Sequence, residues 1–288
     1  MQVKIISDST CDLSPELIEK YDITILPLHI VLDDQEYLDG VTITPEEIYE
    51  WSDAHRTTPK TSAIAFDDVL EALRPHLENG QEVVCFSISG EMSTTANVMR
   101  LAAEELEATD RVFIVDSRNL STGVGIQAIE AAILAQEGKS GAEIVAEMAK
   151  ISPRIRTSFV VDSLIYLYRG GRCGGLAALA GSALRLHPKI AVEDGKMHPC
   201  KKYRGKMCKI YRDYAHDMEA ELLRAEPDRI FITHSGCEEG VVEEMQAYLE
   251  SLHHFKEILV TRAGGVISSH CGPNTLGLLF IDGEEADS

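Results

Sequence analysis

The chain has 288 residues, enough for one large domain or two of ordinary size, and a formal net charge of −20. That charge argues against a nucleic-acid partner, because phosphate backbones are held by clustered Lys and Arg. No apolar run approaches the roughly 20 residues of a membrane-spanning helix and no charged-then-apolar leader opens the sequence, so a soluble, cytoplasmic protein is expected. The seven cysteines form no CxxC pair and no zinc-ligand spacing, which points to free thiols and no metal site.

"VKIISDS" at the start is apolar and β-branched, a strand pattern. Ser14-Pro15-Glu16 then supplies a cap, a first-turn proline and an acid for a helix. "ITILPLHIVLDD" reads as a second strand, and Thr44-Pro45 opens another helix in "TPEEIYEWSDA". "QEVVCFSIS" and "RVFIVDS" are further apolar runs, each followed by a helical pattern. Such alternation predicts a parallel sheet covered on both faces. The style changes around Ser152-Pro153. After "TSFVVDSL" come a loop rich in Gly and Arg and an Ala-rich segment, "GGLAALAGSALRL". Then follow a hairpin turning at Glu193-Asp194-Gly195, a long acidic helix, and the strand-like "DRIFITHS", "KEILVTRAG" and "TLGLLFID". The tail "DGEEADS" is expected to be solvated and disordered. The expected fold is α/β in two domains: a parallel-sheet α/β domain over residues 1–152 and an α+β domain over residues 153–288, with a ligand between them.

Hydroxyls accumulate where strands hand over to helices. "SDSTCD" (7–12), "PKTS" (59–62), "SISGEMSTT" (87–95) and "DSRNLSTGVG" (116–125) all follow this pattern. Ligands of open parallel sheets bind beyond the carboxyl ends of the strands, so these segments are expected to converge on one crevice. Any one of them reads as a helix cap. Together they describe a donor-rich, weakly basic site suited to a single carboxylate or phosphate near helix N-termini.

Familiar catalytic machinery is missing from the sequence: it has no Walker loop, no G-x-G-x-x-G, no G-x-S-x-G elbow and no H-E-x-x-H. Among ten histidines two stand out. His234 closes a strand-like run, and His270 sits among small residues and turn formers in "AGGVISSHCGPNTLG"; each is either a site residue or a satisfied structural histidine. Arg169 and Arg172 lie in the glycine-rich "YRGGRCGG", a cationic loop or an ordinary salt-bridging one. "KKYRGKMCKIYRD" (201–213) is a local basic patch.

In order and spacing these stretches resemble the DegV family of bacterial fatty-acid-binding proteins, whose members present acyl chains to a separate fatty acid kinase. The resemblance runs nearly end to end, through "SDSTCDLS", "PKTS", "VDSRNLSTGVG", "GGRCGGLAALAGSALRLHPKIAVEDGKMHP" and "SHCGPNTLGLLF". It implies a long-chain fatty acid in an apolar tunnel, no other cofactor, and a carboxylate held by Thr61 and Ser93 with Ser62 and Ser89 as neighbours. It also implies His270 beside the headgroup, and Arg172, with Arg169 on the same loop, at the kinase contact or phosphoryl group. The chain departs from the family pattern in three places. "SGEMSTTA" puts Gly90 where a serine is usual and Thr94 where a glycine is usual; "TSAI" stands for "TSQP", and "GPNTLG" for "GPGALG".

Three readings remain open on the sequence. A lipid-binding carrier subunit leads, and it is not itself an enzyme. A carrier for another small carboxylate or phosphorylated metabolite would need a short polar cavity. A stand-alone phosphoryl-transfer enzyme would use His270 or His234.

Overall fold

The computed structural model describes residues 2–173, 186–238 and 240–283. Strands β1 (Val3–Asp8), β2 (Ile23–Leu26), β6 (Glu82–Ser87) and β7 (Val112–Asp116) form a four-stranded parallel sheet in the order β2-β1-β6-β7. Every residue of β6 is buried, as its unbroken apolar run requires when helices cover both faces. On one face pack α1 (Pro15–Tyr21), α5 (Thr122–Gln136) and α6 (Gly141–Ile151), and on the other α3 (Phe66–Glu78) and α4 (Thr95–Glu105). The start signals act as read: Ser14 accepts from Leu17 N, and Thr44 closes a capping box with Glu47 ahead of α2 (Pro45–His55).

One expected strand proves to be two. "ITILPLHI" breaks at Pro27, whose missing N–H and fixed φ end the parallel ladder. The chain resumes as β3 (His29–Leu32), which belongs to a separate antiparallel sheet with β4 (Gln35–Leu38) and β5 (Lys60–Ser62). Lys60–Ser62 of "PKTS" is thus an edge of this sheet, with Thr61 opposite Ile30.

The later half forms a six-stranded mixed sheet in the order β10-β9-β8-β13-β11-β12. Its strands are β8 (Ile155–Val160), β9 (Leu186–Glu193), β10 (Lys196–Arg204), β11 (Ala225–His234), β12 (Glu257–Arg262) and β13 (Leu276–Asp282). Asp194 and Gly195, both with positive φ (50° and 78°), make the β9–β10 turn. The expected long acidic helix is interrupted at Met218, giving α8 (Met207–Asp217) and α9 (Glu219–Arg224). Helices α7 (Ile165–Gly170), α10 (Val241–Ser251) and α11 (Gly265–Cys271) complete the chain. The Ala-rich run over 174–185 and the tail over 284–288 lie outside the described residues. Asp282, read as the start of a solvated tail, is instead 2 % exposed and paired with Arg156 and Arg224 at 3.0 Å. Two arginines offset the desolvation of its carboxylate.

Helix α5 joins the two halves. It is largely apolar and mostly buried, and its core contains Phe231, Leu279 and Ile281 of the large sheet as well as Ile5 and Val84 of the parallel one. Among the described residues, no helix is long and apolar enough to cross a membrane.

Candidate functional site

A cavity of about 430 Å³ opens where the parallel sheet, the small antiparallel sheet and the large sheet meet. Its polar wall carries Thr61 and Ser62 from β5, Ser93 and Thr94 ahead of α4, His270 from α11, Arg172 from the glycine-rich loop, and Glu91, which is paired with Lys196 at 3.2 Å. Its apolar wall is made by Leu28, Ile88, Met92, Leu120, Val266 and Ile267. Leu120, Ile267 and Cys271 are shared with a narrow apolar cleft of about 20 Å³ that runs on to Phe159, Ala263 and Leu279.

Thr61 and His270, 209 positions apart in sequence, meet across the two halves: Thr61 Oγ1 lies 2.8 Å from His270 Nε2. The small residues of "GGVISSH" form α11, and its last turn carries His270. His270 Nδ1 is buried without a hydrogen-bond partner, because the backbone of Gly170 closes over it; a Cβ at Gly170 would stand 2.2 Å from that nitrogen. Burial, helped by the charge of Arg172, pushes the His270 pKa down to about 4, so the imidazole is neutral near pH 7.

Ser93 receives the Thr95 amide at 3.3 Å and lies 3.0 Å from Thr95 Oγ1. No side chain at the Thr94 N-cap closes off α4, so the positive end of this helix sits beside the cavity wall formed by Ser93 and Thr94. Ser62 is exposed at the rim. Arg172 is exposed too, and its Nη1 donates to Gly170 O at 2.8 Å, which folds the side chain back over its own loop. Arg169, exposed at the end of α7, does not line the cavity.

Ser89 is placed elsewhere. It is 1 % exposed, donates to Gly195 O at 2.7 Å and accepts from Glu91 N, so it pins the β9–β10 turn to the parallel-sheet half. Gly90 has a packing reason: its amide donates to both Asp116 oxygens at 3.1 Å, and a Cβ there would lie 2.6 Å from Asp116 Oδ2. Asn274, where a glycine is usual, adopts φ +57°, a region Asn tolerates better than most side chains. His234 also lies apart from the Thr61 cluster, at the edge of the narrow cleft, where burial lowers its pKa and its Nδ1 faces the Gly236 and Cys237 amides.

Not all four hydroxyl-rich segments converge. Of "SDSTCD" and "DSRNLSTGVG", only Leu120 lines the cavity. Their polar groups are spent inside the protein: Thr10 on Asp8 at 2.5 Å, Ser121 on Asp12 at 2.5 Å, and Thr122 on Thr233 of β11 at 2.6 Å. Met197, from β10, is a lining residue that the sequence did not single out, whereas Thr94 stood in the hydroxyl run and at a departure from the family pattern. Met197 stands on β10, two residues beyond the hairpin-tip Gly195 whose carbonyl Ser89 holds.

A family model described as "Uncharacterised protein, DegV family" matches residues 2–283. A DegV domain-containing protein of Deinococcus radiodurans is 32% identical over 96% of this chain and 98% of its own. One from Clostridium perfringens is 33% identical over 98% and 99%. Among solved structures, a fatty-acid-binding DegV family protein of Thermus thermophilus is 31% identical with a TM-score of 0.88, covering 98% of this chain and 100% of that one. A stearic-acid-binding protein of Eubacterium ventriosum is 27% identical with a TM-score of 0.84, covering 98% of both chains. With the match running from β1 through β13 and the relatives covered almost whole, this chain belongs to the DegV family.

Proposed function

We propose that this chain binds a long-chain fatty acid, with the carboxylate at Thr61, Ser93 and His270 and the acyl chain along the apolar wall. We further propose that it presents that carboxylate to a separate fatty acid kinase. The observation that carries the reading is the Thr61–His270 pair on the polar wall of a cavity whose other wall is apolar. A carboxylate taken out of water needs donors, and hydroxyls beside a helix N-terminus supply them without a fixed counter-charge. With His270 Nε2–H donating to Thr61 Oγ1, the Thr61 hydroxyl proton is free to point at the ligand. Leu28, Leu120, Val266 and Ile267 then favour an alkyl chain over a small polar metabolite, and the cavity volume falls in the range of small-molecule sites. The solved relatives described as fatty-acid-binding support the same ligand class.

Arg172, at the cavity wall and exposed, is suited to meet the phosphoryl group as it arrives. The sequence has no phosphate-binding loop of its own, which is why the donor nucleotide is assigned to the partner. Native mass spectrometry of the purified protein, with organic extraction of what it releases, tests the ligand. One fatty acid per chain is expected. A protein that carries none and takes up none on challenge with oleate or stearate contradicts the proposal.

A further inference from the structure

Two buried carboxylates of the parallel-sheet half hold the start of the helix that carries His270. Asp39 Oδ1 accepts from Gly265 N at 2.6 Å, and Asp12 Oδ1 accepts from Gly264 N at 2.8 Å. Their second oxygens are occupied as well: Ser9 Oγ donates to Asp39 Oδ2 at 2.7 Å and Ser121 Oγ to Asp12 Oδ2 at 2.5 Å. The carboxylates come from separate stretches of the first half, the loop after β1 and the end of β4, and both grip one short helix of the other half. Asp12 itself has a left-handed backbone, φ 50°.

The approach is too close for side chains at the helix start. A Cβ on Gly264 would lie 3.2 Å from Asp12 Oδ1, and one on Gly265 2.8 Å from both Ile30 Cδ1 and Ile48 Cδ1. The helix is therefore fixed in depth by Ile30 and Ile48, and in register by two separate amide bonds. An α-helix rises about 1.5 Å per residue, so five residues beyond Gly265 the same register decides where His270 stands. Among the described residues, the ring of His270 is oriented by one hydrogen bond, Nε2 to Thr61, and its Nδ1 has no partner.

We propose that Asp12 and Asp39 are positioning residues of the binding site: by clasping the first amides of α11 they set His270 against Thr61 across the two halves of the molecule. The bonds suit the chemistry, because free amides at a helix start are matched by carboxylates. Both groups sit in a position that is costly to maintain. Burial raises the pKa of each, and Asp39 and Asp8 add like charge against Asp12. A buried pair of like-charged carboxylates is a poor source of stability, whereas fixing a register is a role such groups can fill.

The inference rests on the proposed carboxylate site, and its first readout needs no fatty acid. In protein labelled with ¹⁵N-histidine, wild-type His270 is expected to stay neutral down to about pH 4. In Asp39→Ala the ring is expected to titrate about one pH unit or more higher, as its surroundings loosen and admit water. Oleate affinity is expected to fall on the order of tenfold in the same variant. Asp39→Asn, which keeps an acceptor oxygen for Gly265 N, is expected to restore both properties. Should Asp39→Ala fail to fold, Asp12→Ala carries the same reading, since each carboxylate holds its own amide. Glu82→Ala is the control, because Glu82 Oε2 caps the Gly141 amide of α6 at 2.7 Å and touches nothing in the cavity. It is expected to lower the melting temperature and leave His270 unmoved. An unchanged His270 titration in the alanine variant that folds, or an equal shift in Glu82→Ala, overturns the positioning role. A wild-type protein that binds no oleate contradicts the proposed ligand instead and leaves the titration result standing.

Discussion

Thr61 and Ser93 lie on a cavity wall, whereas Thr122 and Ser121, also in hydroxyl-rich segments around helix starts, are buried with their hydrogen bonds spent inside the protein. The residue types are the same and the surroundings opposite. In the closed network each hydroxyl has a fixed partner: Thr122 meets Thr233, which meets Thr261 at 3.0 Å, and Asp12 and Asp39 hold α11. The cavity cluster instead has capacity left over, a threonine with one imidazole partner and a helix whose N-cap side chain, Thr94, makes no capping bond. A hydroxyl spent within the protein contributes stability, and one with a free donor can contribute affinity. The contrast teaches that counting hydroxyls along a sequence finds both kinds at once.

Substitutions can break that contrast directly. Thr61→Val with Ser93→Ala removes two donors to a charged group and is expected to weaken fatty-acid binding by about 3 kcal/mol, on the order of 100-fold, in a fluorescence titration. The melting temperature should fall modestly, because the Thr61–His270 and Ser93–Thr95 bonds are lost as well. A large loss of stability with affinity intact would merge the two regions.

His270 sharpens the comparison through pH. Its folded pKa of about 4 lies below the usual histidine value of about 6.5. As pH falls through that window the unfolded chain takes up a proton that the folded ring refuses, so stability is lost on acidification. This component is at most about 3 kcal/mol. Asp8, pushed up to about 6 by burial, acts in the opposite direction over part of the same range. The difference in unfolding free energy between wild type and His270→Asn, followed from pH 7 to pH 4.5, isolates the histidine: wild type should lose more.

Arg172→Ala should slow phosphorylation by a cognate kinase on the order of 10-fold or more while oleate affinity stays within about threefold. Collapse of affinity would move Arg172 into the carboxylate site itself. Thr122→Val, in the closed network, should cost about 1–2 kcal/mol in chemical denaturation and leave affinity alone. The smallest effect is expected for Ser89→Ala. It frees the hairpin tip from one bond and should cost about 1 kcal/mol, with affinity unchanged.

The parallel-sheet half was legible because its signals are local. Ser14-Pro15 and Thr44-Pro45 start helices wherever they stand, and the apolar run of β6 over residues 83–86 demands cover on both faces. Pro27 was visible as well, but the second sheet it starts depends on pairing Ile30 with Thr61, a contact between distant stretches. Helix α11 was hidden for a physical reason: glycine and serine are weak helix formers, and this segment is helical because Asp12 and Asp39 hold its amides and Ile30 and Ile48 leave room only for glycine. For the site, the stretches bearing Thr61, Ser93, His270 and Arg172 were readable as unusual, whereas the separation of Ser89 from them was not. Two serines four apart at a strand end look alike until the hairpin tip, 106 positions away, takes one of them.

Oleate labelled with ¹³C at the carboxyl carbon, bound to the protein and observed by NMR, tests the central claim most directly. The account predicts one resonance in slow exchange, displaced from that of free oleate, and moved or lost in the Thr61→Val, Ser93→Ala protein. A label that never binds, or one whose bound resonance is the same in wild type and variant, would contradict the assignment of the cavity hydroxyls to an acyl carboxylate.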